Sequence, residues 1–170
     1  MNNLLPRIIA LYLLLLLSPC LPAQRASLRS ITIKDGLSQG MVYDVLQGRD
    51  GFMWIATKDG LNRYDGYDFQ HFSPLPSEPF SISGDIVTCL YEDSYGRIWA
   101  GTENHGLNIL QPGTERFYKI GFQADGGRGL SSNRILSVLQ QNDTTFWLGT
   151  GNGVERLTVP PGDSLWQKAE

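Results

Sequence analysis

From Ser30 onward the apolar positions of this chain come in short runs, broken by clusters of Gly, Asp, Asn and Pro, and no stretch sustains a helical period. Short apolar runs bounded by turn residues predict strands. First strands are expected at residues 41–47, 86–92 and 134–140, with apolar side chains on both faces as in strands covered from both sides. Second strands follow at 52–57, 97–102 and 146–150, third strands at 61–64, 107–110 and 154–157, and fourth strands at 67–72, 116–120 and 165–167. Arg49-Asp50-Gly51, the stretch 93–96 and Asn142-Asp143-Thr144 supply the first turns, because Asp, Asn and Gly tolerate the left-handed backbone of a tight hairpin. Ser30-Ile31-Thr32-Ile33 alternates and predicts one more strand ahead of these.

The period of the pattern predicts the fold. Set on Trp54, Trp99 and Trp147, the copies are spaced 45 and then 48 residues apart, with Val42, Val87 and Ile135 each twelve positions upstream. Ala56-Thr57, Gly101-Thr102 and Gly149-Thr150 follow the tryptophans, and Gly60-Leu61, Gly106-Leu107 and Gly153-Val154 open the next runs. A strand-rich repeat of this length reads as β-propeller blades. The expected fold is all-β: three four-stranded antiparallel blades in an incomplete ring, at residues 36–80, 81–128 and 129–170, behind a leading segment at 24–35. The tryptophans then pack between blades rather than stack on sugars, and Thr57, Thr102 and Thr150 satisfy nearby backbone groups.

Residues 1–23 are set apart by their own pattern. Arg7, an apolar run over residues 8–17, Ser18-Pro19 and the small Ala23 follow the order of a secretory signal, and the run is half of what a membrane span needs. A periplasmic location is therefore expected, with lipidation at Cys20 the lesser alternative. Once the signal is removed Cys89 is the remaining cysteine, set in an apolar run and read as a small buried hydrophobe. Net charge is -3 with no basic cluster, which disfavours nucleic acid as a partner. Contact with a membrane is expected only through the signal or a downstream helix.

Gly36-Leu37-Ser38, the run Phe52-Met53-Trp54-Ile55-Ala56-Thr57 behind Asp50-Gly51, and Gly60-Leu61-Asn62-Arg63-Tyr64-Asp65-Gly66 together resemble the repeat of the two-component regulator propeller family. Residues 93–107 and 146–154 are similar to it too, so the resemblance spans roughly residues 28–170. It implies a periplasmic sensor region of bacterial sensor histidine kinases and hybrid two-component proteins. In larger relatives many blades precede a further β domain, a membrane helix and a cytoplasmic output, and several sense polysaccharide breakdown products. Kinase output is not expected in these residues, which points to binding without catalysis and without a cofactor.

Function is expected where the copies differ. In an up-and-down blade the turn between second and third strands opens on the same side as the loop to the next blade. That places Lys58, Asp59, Glu103, Asn104, His105 and Asn152 on one polar face, the candidate site for an oligosaccharide or other small ligand. Gly60, Gly106 and Gly153, like the tryptophans and threonines, are read as structural. His71 and His105 stand in different copies and match no common metal spacing, so no metal site is expected. A metal-dependent propeller lyase and a non-catalytic envelope scaffold are the alternatives. An open arc exposes two blade faces, so further blades or copies of the same chain are expected to cover them.

Overall fold

The computed structural model describes residues 27–122 and 129–161. The chain divides into two compact units, Met1–Ser30 and Ile31–Glu170. Of the first, residues 27–30 are described and hold no regular element. The expected secretory signal, Cys20 and the strand at 165–167 lie outside the described residues.

The second unit is all-β. Strands β1 (Val42–Gln47), β2 (Met53–Thr57), β3 (Leu61–Tyr64) and β4 (Phe69–Phe72) form one antiparallel sheet in chain order. Strands β5 (Val87–Glu92), β6 (Ile98–Thr102), β7 (Leu107–Leu110) and β8 (Phe117–Ile120) form a second sheet of the same order. Strands β9 (Ile135–Gln140), β10 (Thr145–Thr150) and β11 (Gly153–Thr158) form a third. We refer to the three sheets as blades 1, 2 and 3.

The same register irregularity recurs near the start of each first strand: Val42 to Asp44 on β1, Val87 to Cys89 on β5, and opposite the Gly149/Thr150 step for β9. A bulge there bends the strand and sharpens its twist. Side chains near it tie neighbouring blades together: Leu90 N–H donates to Asp44 Oδ2 at 2.8 Å, and the Thr88 hydroxyl donates to the Ile135 carbonyl.

Two interfaces hold the core. Between blades 1 and 2, Trp54, Ala56, Leu61 and Phe72 pack on Val87, Leu90, Ile98 and Phe117. Between blades 2 and 3, Cys89, Trp99 and Ile109 pack on Ile135, Phe146 and Leu148. In blade 2 the small residue behind the tryptophan is needed for this approach: a Cβ on Gly101 would stand 2.8 Å from Ile135 Cγ2. The threonines do as expected. Thr57, Thr102 and Thr150 hydroxyls donate to the carbonyls of Gly60, Gly106 and Gly153 at 3.0, 2.8 and 3.0 Å.

Three expectations are corrected. The leading strand is absent: Ile33–Asp35 forms a single 3-10 turn closed by a capping box, in which Thr32 N–H and hydroxyl donate to Asp35 and Thr32 Oγ1 accepts Lys34 N–H. These local bonds satisfy the backbone within five residues, leaving little for a ladder to gain. First strands are not all covered on both faces, because on blade 1 Val42, Tyr43 and Val45 are exposed. Nor does every tryptophan pack between blades: Trp54 and Trp99 are 2% and 0% exposed, whereas Trp147 is 39% exposed. Trp147 carries the face of blade 3 that points away from blade 2, where no described residue covers it.

Candidate ligand-binding face

The β2–β3, β6–β7 and β10–β11 turns are three copies of one structure. In each, the threonine that ends the strand accepts an N–H from the turn: Asp59 to Thr57 at 3.1 Å, His105 to Thr102 at 2.9 Å, and Asn152 to Thr150 at 3.1 Å. Backbone bonds then tie the turns to the loops that lead into the first strands. Lys58 N–H donates to the Met41 carbonyl, Glu103 N–H to Ile86 and Gly151 N–H to Arg134, at 3.1, 3.0 and 2.9 Å.

This arrangement puts the six candidate residues along one edge of the blades. Lys58, Asp59, Asn104, His105 and Asn152 are exposed, and Glu103 is half-buried. Glu103 forms an ion pair of 3.0 Å with Arg134 of blade 3, partly solvated on both sides. The Ser83 hydroxyl donates to the His105 carbonyl at 2.9 Å, and Gly84 gives the imidazole its room, since a Cβ there would meet His105 Nδ1 at 2.6 Å. The edge is polar and presents hydrogen-bonding groups of both kinds, with Lys58 and Glu103 adding opposite charges.

A second repeated contact escapes a reading based on Gly-Leu-Ser alone. Asn62 Oδ1 accepts Ser38 N–H at 3.0 Å while its amide donates to Ser38 Oγ at 2.8 Å. Asn108 does the same to Ser83 at 2.8 and 2.8 Å, and in blade 3 Glu155 accepts both the N–H and the hydroxyl of Ser131. The middle copy is therefore Ile82-Ser83, equivalent to Leu37-Ser38 and Leu130-Ser131, with all three apolar residues buried. Counting four residues back from Val42, Val87 and Ile135 would have found these serines.

Residues 36–59 and 81–104 each match the profile of the Two component regulator propeller family. The chain carries two-component regulator propeller repeats. Over 55 residues, 32% of this chain and 4% of the relative, it is 44% identical to Histidine kinase P4 of Formosa agariphila. Among solved structures it is similar to the extracellular domain of BT3049 from B. thetaiotaomicron, described as a hybrid two component system, with 28% identity and a TM-score of 0.72. That likeness covers 77% of this chain and 19% of BT3049's domain. The extracellular domain of BT4673 from the same organism shares the fold at 19% identity and a TM-score of 0.65, over 86% of this chain and 20% of that one. The chain thus spans about a fifth of the length of these structures.

Three titratable groups away from the candidate edge, Asp65, His71 and Cys89, have structural roles. The Asp65 carboxylate accepts N–H groups of Tyr67 and Asp68 at 2.7 and 2.8 Å, and the Asp68 and Tyr67 bonds hold its pKa below the usual range. His71 Nε2 lies 2.7 Å from the Gly36 carbonyl oxygen. Burial pushes the Cys89 thiol up to about 11, so it stays protonated at neutral pH, as a small hydrophobe should. Among the described residues no three His, Cys, Asp or Glu side chains stand together as metal ligands.

Proposed function

We propose that this chain is a ligand-sensing propeller segment of an exported two-component sensor, working by binding in the periplasm. The observation that supports the reading is the pair of consecutive regulator repeats, which the BT3049 extracellular domain resembles across most of this chain. The ligand contacts the edge formed by Lys58, Asp59, Glu103, Asn104, His105 and Asn152, where the copies diverge on a common backbone. Glycan-derived small molecules fit its mixture of exposed donors and acceptors. The two open faces, carrying Val42 and Val45 on blade 1 and Leu139 and Trp147 on blade 3, are covered by further blades or by copies of this chain.

Binding then acts by population shift. A ligand that bridges turns of adjacent blades favours the blade packing in which those turns have the right spacing, and passes that preference to whatever the blades contact. The test is to locate the native gene product by fractionation with an antibody to residues after Ala23, and to record its melting temperature with a panel of oligosaccharides. A product in the envelope whose melting temperature rises with one glycan class, and no longer rises after Lys58→Ala with His105→Ala, is the expected result. A cytosolic product, or one indifferent to the panel, would overturn the reading.

A further inference from the structure

A large opening of the second unit lies away from the candidate edge. This cavity of about 610 Å³ sits between blades 1 and 2 at their opposite end, walled by Phe52, Trp54 and Arg63 of blade 1 and by Tyr95, Ile98 and Leu110 of blade 2. Its size is that of an ordinary small-molecule site.

The corresponding place between blades 2 and 3 shows what the repeat does when no cavity is needed. There the wholly buried Asp93 accepts Trp99 Nε1–H at 2.8 Å and pairs with Arg97, whose guanidinium lies over Tyr95 and Trp99 and donates to the Pro160 carbonyl at 3.1 Å. Ile109, opposite Trp99 in the ladder, is also fully buried.

Blade 1 changes all three positions. Gly48 stands for Asp93, as the matching backbone bonds show: Gly48 N–H donates to Phe52 and Asp93 N–H to Arg97, at 2.8 and 3.1 Å. Phe52 accordingly stands for Arg97, and Arg63, opposite Trp54, stands for Ile109.

The result is one charged group open to a partner in the cavity, Arg63. Trp54 is buried, and its Nε1–H has no acceptor among the described residues; the space beside it at Gly48 is closed by Asp50, since a Cβ on Gly48 would stand 2.5 Å from Asp50 Oδ1 and 3.2 Å from Trp54 Nε1. The Arg63 guanidinium lies 4.7 Å from the Phe52 ring centroid and 5.8 Å from that of Trp54. Among the described residues it makes no hydrogen bond or ion pair, Asp65 acting on it only at longer range. The other charged groups around the cavity are engaged: Glu92 accepts Arg49 N–H at 3.0 Å, Arg49 Nη1 donates to Ser94 O at 3.3 Å, and Asp50 accepts Phe52 N–H at 3.1 Å.

We propose that this cavity binds a small molecule joining a carboxylate to a ring with an apolar face. Arg63 holds the carboxylate through its guanidinium fork, and the ring lies among Phe52, Tyr95 and Leu110. Because the site bridges two blades, occupancy tightens the blade 1 and blade 2 interface, and it does so independently of the opposite edge.

The experiment uses the full chain and isothermal calorimetry with two probe sets, aromatic carboxylates led by 4-hydroxybenzoate and a galacturonate trisaccharide, each beside its amide or neutral counterpart. Binding of one set, with its uncharged counterpart at least tenfold weaker, is expected and identifies the source of the carboxylate. Arg63→Lys should weaken binding at least tenfold, and Arg63→Gln should abolish it, while Lys119→Gln on the exposed outer strand of blade 2 leaves it unchanged. Circular dichroism confirms that each variant folds. No binding of either probe set, or equal binding by Arg63→Gln and the native chain, overturns the proposal, whatever the glycan panel shows at the opposite edge.

Discussion

Trp99 of blade 2 stacks on Phe146 of blade 3, with ring centroids 4.0 Å apart and planes inclined by 26°. The two residues are far apart in sequence, and both are fully buried in the interface they share. Offset stacking of this kind adds about 1 kcal/mol to the burial of the rings themselves.

Trp99→Ala should therefore destabilise the chain by about 3 to 5 kcal/mol, the ordinary cost of emptying a large aromatic site. Trp147→Ala, the same change at the exposed copy, should cost less than about 1 kcal/mol. Urea unfolding of the two variants side by side measures the difference. Equal losses would mean that Trp147 is covered in solution.

Asp93 carries a buried network rather than a surface bridge. It accepts the Tyr95 and Arg97 N–H groups at 2.9 and 3.0 Å as well as the Trp99 indole, and its side chain and that of Arg97 are 0% and 1% exposed. Asp93→Ala leaves the Arg97 charge buried without its carboxylate and should cost about 3 to 5 kcal/mol. Arg97→Met with Asp93→Asn should recover part of that loss, which a double-mutant cycle on denaturation midpoints would reveal.

Alkaline pH should act through Cys89. Burial, with a smaller contribution from the Asp44 charge, lifts its pKa from 9.0 to about 11 in the folded chain. The unfolded chain then gives up this proton first, so the stabilisation is complete below pH 9 and disappears as pH rises toward 11. The loss at pH 10.5 should be about 2 kcal/mol beyond that of Cys89→Ala. Urea midpoints of both proteins at pH 8 and pH 10.5 decide the matter, and parallel pH profiles would refute it.

The open face of blade 3 should drive association of the isolated chain. Leu139, Trp147 and Val154 are 62%, 39% and 71% exposed on it and its margin. Apolar patches of this kind mark contact surfaces. Leu139→Lys should lower the apparent mass in analytical ultracentrifugation without moving the melting temperature of the dilute protein. A monomer before and after the substitution would show that the patch needs no cover.

Much of this was legible because blade chemistry is local. The Thr57 and Gly60 pair closes its turn within four residues, and its two copies are nearly as compact, so a repeated Trp, Thr and Gly spacing was enough to place every described strand to within two or three residues. The segment at Ile31 to Ile33 misled for the same reason: alternation suggests a strand, but Asp35 stood close enough to cap Thr32. The candidate edge was legible as positions, since the turn order of an up-and-down blade dictates which loops share a side. What Lys58 or His105 bind was not, because exposed turns place few constraints on their side chains.

The sequence by itself determined the blades, their turns and the repeat that marks the family, since each depends on contacts between residues close along the chain. Only the tertiary structure decided which copy is closed by packing and which is open. Phe52 and Arg63 are unremarkable residues one at a time, and they wall a cavity because they stand in blade 1, facing blade 2, at the positions where blade 2 itself carries the buried Arg97 and Ile109. Likewise Trp54, Trp99 and Trp147 are identical in sequence role and differ in burial, because burial depends on the neighbour across the interface, some forty-five residues away.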